Sequence, residues 1–270
     1  MKKLNKVLFV IFLLIFLAAV GFGIWYYVGE QKRGSSYDDL AAKVETTETP
    51  TPTPTKEVTK EPTPETTAEP TKAPTAEPVD IPIDFEELKA VNPDIYAWIR
   101  IPGTVVDYPV AQSATDNAYY LNHTVEGTAG LPGSIYTENI NLKDFSDPNT
   151  VIYGHDMING SMFGNLKAFM DSSYMKEHET IYIYTPEHIY TYQVFGGITY
   201  DNRHIMNAFD FKNVDQYQAF LDSIRGVRNM STYINNEVEV TTEDKILTLS
   251  TCTGNSSERF LVEAVLIDEA

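Results

Sequence analysis

"KILTLSTCTGNSSERFLVEAVLID", residues 245–268, decides the fold. Two runs rich in aliphatic and β-branched residues flank six residues of turn type, "TGNSSE". That is the pattern of two connected strands and not of a helix. The first run ends in Cys252, the only cysteine of 270 residues, and the second opens at Arg259. If the runs pair, so short a loop returns Arg259 to the end of the sheet where Cys252 sits. A free cysteine commonly behaves as a small buried hydrophobe. One at a strand end, where a scaffold delivers side chains to a rim, is also a candidate for chemistry.

Upstream, strand-like runs predominate. "AWIRI" and "TVVDYPVA" are separated by a Pro102-Gly103 turn, and "GSIYTE" and "NTVIYGH" follow. "TIYIYTPEHIYTYQVFGGITY" is two alternating runs hinged at Pro186-Glu187, and "EVEVT" (237–241) precedes the two final runs. Helical spacing is confined to "DFEELKAVN" (84–92), "SMFGNLKAFMD" (161–171) and "NVDQYQAFLDSIRGV", the last with Asn213 as its N-cap. Seven or eight strands with two or three peripheral helices predict an antiparallel barrel or sandwich. A barrel is favoured because closure removes exposed edges.

The N-terminal part has a different composition. Lys2, Lys3 and Lys6 precede "VLFVIFLLIFLAAVGFGIWYYV", 22 residues without a charge that end in aromatics. That length predicts a bilayer-spanning helix, longer than the apolar core of a secretory signal. The expected order is a cytoplasmic tail (1–6), an anchor (7–28), a Thr/Pro/Glu-rich linker (29–79) and a globular domain (80–270). Eight of fifteen prolines fall between Pro50 and Pro78. Such a stretch buries too little apolar surface to offset its ordering entropy. In polyproline form it spans on the order of 100 Å, suited to a domain working inside a cell wall. On this reading anchor and linker contribute no core, and the domain from residue 80 folds alone.

From residue 80 onward, 11 Lys and Arg face 28 Asp and Glu, a formal net charge of −17. So acidic a surface repels phosphate backbones, which argues against nucleic acid as a partner. A lone thiol excludes a disulfide framework within the chain. No Cys/His spacing suits zinc, and no phosphate-cradling loop or dinucleotide fingerprint is present, so no metal or other cofactor is expected.

A cysteine nucleophile is usually served by a histidine. Of five histidines, His178 and His188 lie in polar stretches, His204 is ambiguous, and His123 in "YYLNH" could lie near a site. His155 alone follows a buried-type strand through a glycine, in "TVIYGHD", and ranks first. Arg259 adds a guanidinium able to donate to an oxyanion or a peptide carbonyl, with a solvated strand-edge charge as the equal alternative.

"VIYGHDM", followed about a hundred residues later by "TLSTCT" and then "RF", resembles the sortase family of cysteine transpeptidases. The resemblance spans roughly 85–268 and is closest to the class B branch. There "NPDIYAWIRIPGTVVDYPV", "YYLNH" and a helix inserted before the Cys strand are similar. The six residues between Cys252 and Arg259 are few for that class and imply a tight loop over the site. The resemblance implies a closed eight-stranded β-barrel with peripheral helices. It also implies a catalytic set of Cys252, His155 and Arg259, with Asn122 ordering the site and Ser250 and Thr251 lining a substrate groove. The implied partners are secreted proteins with a C-terminal LPxTG-like or NPxTx-like sorting signal and a peptidoglycan precursor amine. The implied place is the cell membrane, with a single pass, the N-terminus inside and the domain outside. A pilin-polymerising enzyme that uses a lysine amine needs the same residues, and a non-catalytic wall-spanning module is the reading from another class.

Overall fold

A computed structural model describes residues 2–45 and 79–270. After α1 (Lys2–Val44) and α2 (Phe85–Val91) come β1 (Ile95–Arg100), β2 (Asp107–Ala111), β3 (Ile135–Thr137) and β4 (Asn149–Tyr153). Then follow α3 (Ser172–Glu177), β5 (Thr180–Tyr184), β6 (Ile189–Asp201), α4 (Ile205–Ala208), α5 (Val214–Arg225), β7 (Thr232–Ile234), β8 (Ile246–Cys252) and β9 (Glu258–Glu269). The strands hydrogen-bond in the order β5-β1-β2-β3-β4-β8-β9-β6, and β5 pairs with β6 to close an eight-stranded barrel. β7 adds to β6 outside the ring.

The expectation of an all-antiparallel sheet is corrected at two seams, since β2–β3 and β4–β8 are parallel. Parallel neighbours need a crossover between them. The excursion 112–134 provides one for β3, and the helical layer before β8 provides the other. "EVEVT" forms no strand; β7, earlier in the chain, occupies the free edge of β6 instead. Helix α5 does start at Asn213, whose side chain accepts from the N–H groups of Asp215 and Gln216. "SMFGNLKAFMD" yields a short 3-10 turn at Leu166–Met170 leading to α3.

β8 and β9 are covered on both faces, which is why they read as nearly continuous apolar runs. Leu247, Leu249, Phe260 and Val262 point into the barrel with Trp98. Ile246, Leu261 and Val265 pack outward under Tyr217, Phe220 and Ile224 of α5.

The N-terminal helix departs from the expected boundaries. Ile11–Gly29, with mean hydropathy 2.3, is long and apolar enough to cross a membrane. The helix continues to Val44, so residues 29–45, expected as linker, are helical or docked. Tyr37, Leu40 and Val44 are buried in the barrel's main core. Their spacing of three and then four residues is the helical stripe that the polar flanks hid. Asp84 N–H donates to Val44 O (2.9 Å), and Glu45 forms an isolated bridge with Ile83. Arg100 pairs with Glu45 (3.2 Å), and Lys43 with Glu87. The domain from residue 80 therefore does not contain its whole core. The remainder of the expected linker, 46–78, lies outside the described residues.

One carboxylate is out of place. Glu263 lies on the outward face of β9, fully buried beneath α5. Desolvation pushes its carboxyl up to about 8. Thr248 Oγ1 sits 2.9 Å from Glu263 Oε2 and 3.1 Å from Asn149 Oδ1. A single hydroxyl proton serves only one of these, and a protonated Glu263 supplies the other. Among the described residues, Glu263 Oε1 and Asn149 Nδ2 are buried without a hydrogen-bond partner. Because the folded value exceeds the ordinary 4.5, the folded state holds a proton that the unfolded chain releases. The stability that Glu263 contributes is then fully present below about 4.5 and is lost as pH rises through about 8. Glu263→Gln should remove this fall. Thermal melts of the two proteins should diverge between pH 5 and 8, by on the order of a few kcal/mol in favour of the variant. Parallel pH curves would show that Glu263 is already ionised in the fold.

Candidate active site

The parallel seam between β4 and β8 builds the site. Tyr153 is in register with Ser250, and just beyond them Gly154 N–H donates to Ser250 O (3.2 Å). Thr251 Oγ1 donates to Gly154 O (2.8 Å), tying the two strands where they end. His155 and Cys252 each lie two residues past the Tyr153–Ser250 pair. Because the strands run the same way, both leave the barrel side by side. Gly154 is needed between Tyr153 and His155, since a Cβ there would sit 2.5 Å from Ile135 Cδ1 and 2.7 Å from Phe163 Cδ2.

The antiparallel β8–β9 seam supplies the third group. Cys252 is directly paired with Arg259, as the hairpin reading expected. Cys252 is solvent-accessible and Arg259 is partly buried, its Nη1 donating to Glu258 O (2.8 Å). All three side chains line one cleft of about 360 Å³, walled by Tyr136, Tyr153, His204, Ile205 and Leu261. A larger groove of about 1,040 Å³ lies between α3, β7 and the far half of β9, and none of the three lines it. The smaller cleft is the one with chemistry in it.

His155 Nε2 lies 2.6 Å from the carbonyl oxygen of Leu121. A carbonyl only accepts, so that nitrogen carries a proton and Nδ1 is left for proton exchange. The residue after His155 is tied as well: Lys167 Nζ donates to Asp156 Oδ2 (2.6 Å) and reaches Thr253 O (3.4 Å), bridging the loops that follow His155 and Cys252.

Of the other expected residues, Ser250 and Thr251 line the cleft but are largely buried, and the Thr251 hydroxyl is engaged with Gly154. Asn122 is exposed, its carbonyl accepts from Gly130 N–H (2.8 Å), and it is not among the lining residues. The neighbour that holds His155 is Leu121, through its backbone. His123 stacks on Tyr119 at 4.1 Å, and His178 bonds Pro102 O (2.9 Å), both away from the cleft.

His204, ambiguous in the sequence, lines the cleft, as do Tyr136 and Tyr153, which no sequence signal marked. His204 caps α4 through its side chain and pairs with Glu138 Oε2 (2.7 Å). Tyr136 and Tyr153 stack at 5.5 Å. Burial and the nearby Glu138 push both phenols well above their ordinary range, and the Arg259 charge opposes the shift. An accessible thiol, a tethered imidazole and a guanidinium beside an aromatic wall form a set suited to acyl transfer.

A family model described as a sortase domain matches residues 99–267. Sortase B of Staphylococcus aureus is 35% identical over 186 residues, which are 68% of this chain and 74% of that protein. Among solved structures, an S. aureus sortase B–substrate complex aligns with TM-score 0.61 at 34% identity, over 68% of this chain and 84% of the other. A sortase B complexed with triglycine aligns with TM-score 0.61 at 33% identity, over 68% and 85%.

Proposed function

The chain belongs to the sortase family of cysteine transpeptidases, and on that footing we propose that Cys252, His155 and Arg259 are its catalytic residues. In this reading the Cys252 thiolate attacks the carbonyl carbon of a Thr in a C-terminal sorting signal of a secreted protein. Arg259 donates to the oxyanion that forms. On collapse, the peptide bond breaks and His155 gives its proton to the leaving amine. The acyl group is then held as a thioester on Cys252. An incoming amine loses its proton to His155, attacks the thioester carbonyl and releases the Cys252 thiolate, which restores the starting pair of thiolate and protonated imidazole. Arg259 suits the oxyanion role because a planar guanidinium can donate to two oxygens at once.

The observation that carries this reading is the convergence of the ends of β4, β8 and β9 on one cleft. The acceptor is proposed to be a peptidoglycan precursor amine, in keeping with a similar sortase B having been crystallised with triglycine. The enzyme is proposed to be anchored by Ile11–Gly29 with the barrel outside the cell, since the basic residues Lys2, Lys3 and Lys6 precede the apolar stretch.

The test is incubation of the full-length protein with LPxTG-like and NPxTx-like peptides, with triglycine or a lysine-bearing peptide as acceptor. Mass spectrometry should find Cys252 carrying the fragment that ends in Thr, and then that fragment on triglycine. Transfer to lysine alone would replace the wall reading with pilin polymerisation. No adduct with any peptide, on a thiol that still alkylates, would leave a non-catalytic module.

A further inference from the structure

Tyr37 lies on α1, outside the barrel strands, and is 2% exposed. Its ring meets Tyr108 edge-on at 5.8 Å. Its hydroxyl donates to Gly133 O (2.6 Å), accepts from Val125 N–H (3.3 Å) and lies 3.2 Å from Ser134 Oγ. Burial pushes the phenol up to about 12, so it remains a protonated donor at neutral pH.

The three residues it gathers belong to the excursion 112–134, which also carries Leu121. Ser134 extends the hold, its Oγ donating to His123 O (2.8 Å) and its N–H to Tyr120 O (2.9 Å). Gly133 completes the route to the site. A Cβ there would sit 2.5 Å from Leu121 O and 3.1 Å from His155 Cδ2. Its backbone therefore lies against both the imidazole and the carbonyl that the imidazole bonds.

We infer that Tyr37 is a positioning residue for His155: the helix leading out of the apolar stretch fixes, through one buried phenol, the loop whose carbonyl orients the imidazole. Tyr37 touches neither the cleft nor any reacting atom, so its effect passes through Gly133 and Leu121. The inference rests on the proposed pairing of His155 with Cys252, and the experiment separates the two.

Cys252 is the only thiol, so iodoacetamide reports on it without any substrate. The full-length protein in detergent would be alkylated across pH 5–9 and compared with His155→Ala, Tyr37→Phe and Leu40→Ala. Tyr37→Phe keeps the ring in the core and removes only the donor. Its alkylation at pH 7 should slow by about three- to tenfold, the scale of one buried hydrogen bond, and its pH profile should move toward that of His155→Ala. Leu40→Ala removes packing from the same helix. It should lower the melting temperature and keep the wild-type profile. A Tyr37→Phe profile that coincides with wild type, while His155→Ala is displaced, overturns the inference alone. Equal displacement by Leu40→Ala overturns it in favour of general loosening. A His155→Ala profile that coincides with wild type removes the role given to His155 and the inference with it.

Discussion

Cys252→Ala is expected to abolish both peptide cleavage and transfer. No second thiol exists to take over, and the side chain sits at the exposed end of β8. Loss of a covalent nucleophile costs on the order of 10⁶ in kcat in an enzyme whose residues act as a unit. The fold should be indifferent, because changes at exposed positions away from caps and cores are usually worth within about 0.5 kcal/mol. The measurement is turnover of a sorting peptide beside a thermal melt. Cleavage above background by a well-folded Cys252→Ala protein would mean that the thioester route proposed here is wrong. Loss of both activity and folding would point to Cys252 as a packing residue.

The second large effect separates charge from geometry at Arg259. Lysine keeps the positive charge and loses the planar fork that can donate to two oxygens together. If Arg259 only balances an acidic surface, Arg259→Lys should be nearly silent. If it holds the oxyanion, acylation of Cys252 should slow by about 10²–10³, equivalent to about 3–4 kcal/mol, with little change in melting temperature. The side chain's hydrogen bond to the adjacent Glu258 carbonyl stabilises no distant element, so folding should tolerate the change. Trapped thioester, counted against time, reads the step directly. Wild-type acylation by Arg259→Lys removes Arg259 from the catalytic set.

The sequence made the local features of this site legible and left its assembly hidden. The β8–β9 hairpin was visible because turn chemistry and strand periodicity are properties of adjacent residues, and the Cys252–Arg259 pairing followed from it. That β4 and β8 run parallel, side by side, was not visible, because the seam joins residues about a hundred positions apart in the chain. Alternation cannot tell a strand's neighbour or its direction. The acceptor for His155 escaped for another reason. It is a backbone carbonyl, which every residue carries, and the resemblance implied Asn122, the next residue along, in place of Leu121. His204 and Glu138 likewise belong to no local pattern; only folding puts them 2.7 Å apart. On α1, the stripe of Tyr37, Leu40 and Val44 was hidden, because the composition around it suggested a linker.

On the proposed anchoring, that stripe changes where the enzyme works. From Gly29, the end of the apolar stretch, to Tyr37 is eight residues of helix, about 12 Å, where an extended spacer would allow on the order of 100 Å. With Ile11–Gly29 set in a bilayer as proposed, the barrel rides at the height of the lipid headgroups, where Glu45 and Ile83 are bridged to one another. A donor protein or amine carrier held in the same bilayer then meets the cleft by lateral diffusion in a layer a few nanometres deep. Confinement of that kind raises effective concentration without adding a contact. It also favours substrates by where they are held, before any side chain in the cleft has touched them.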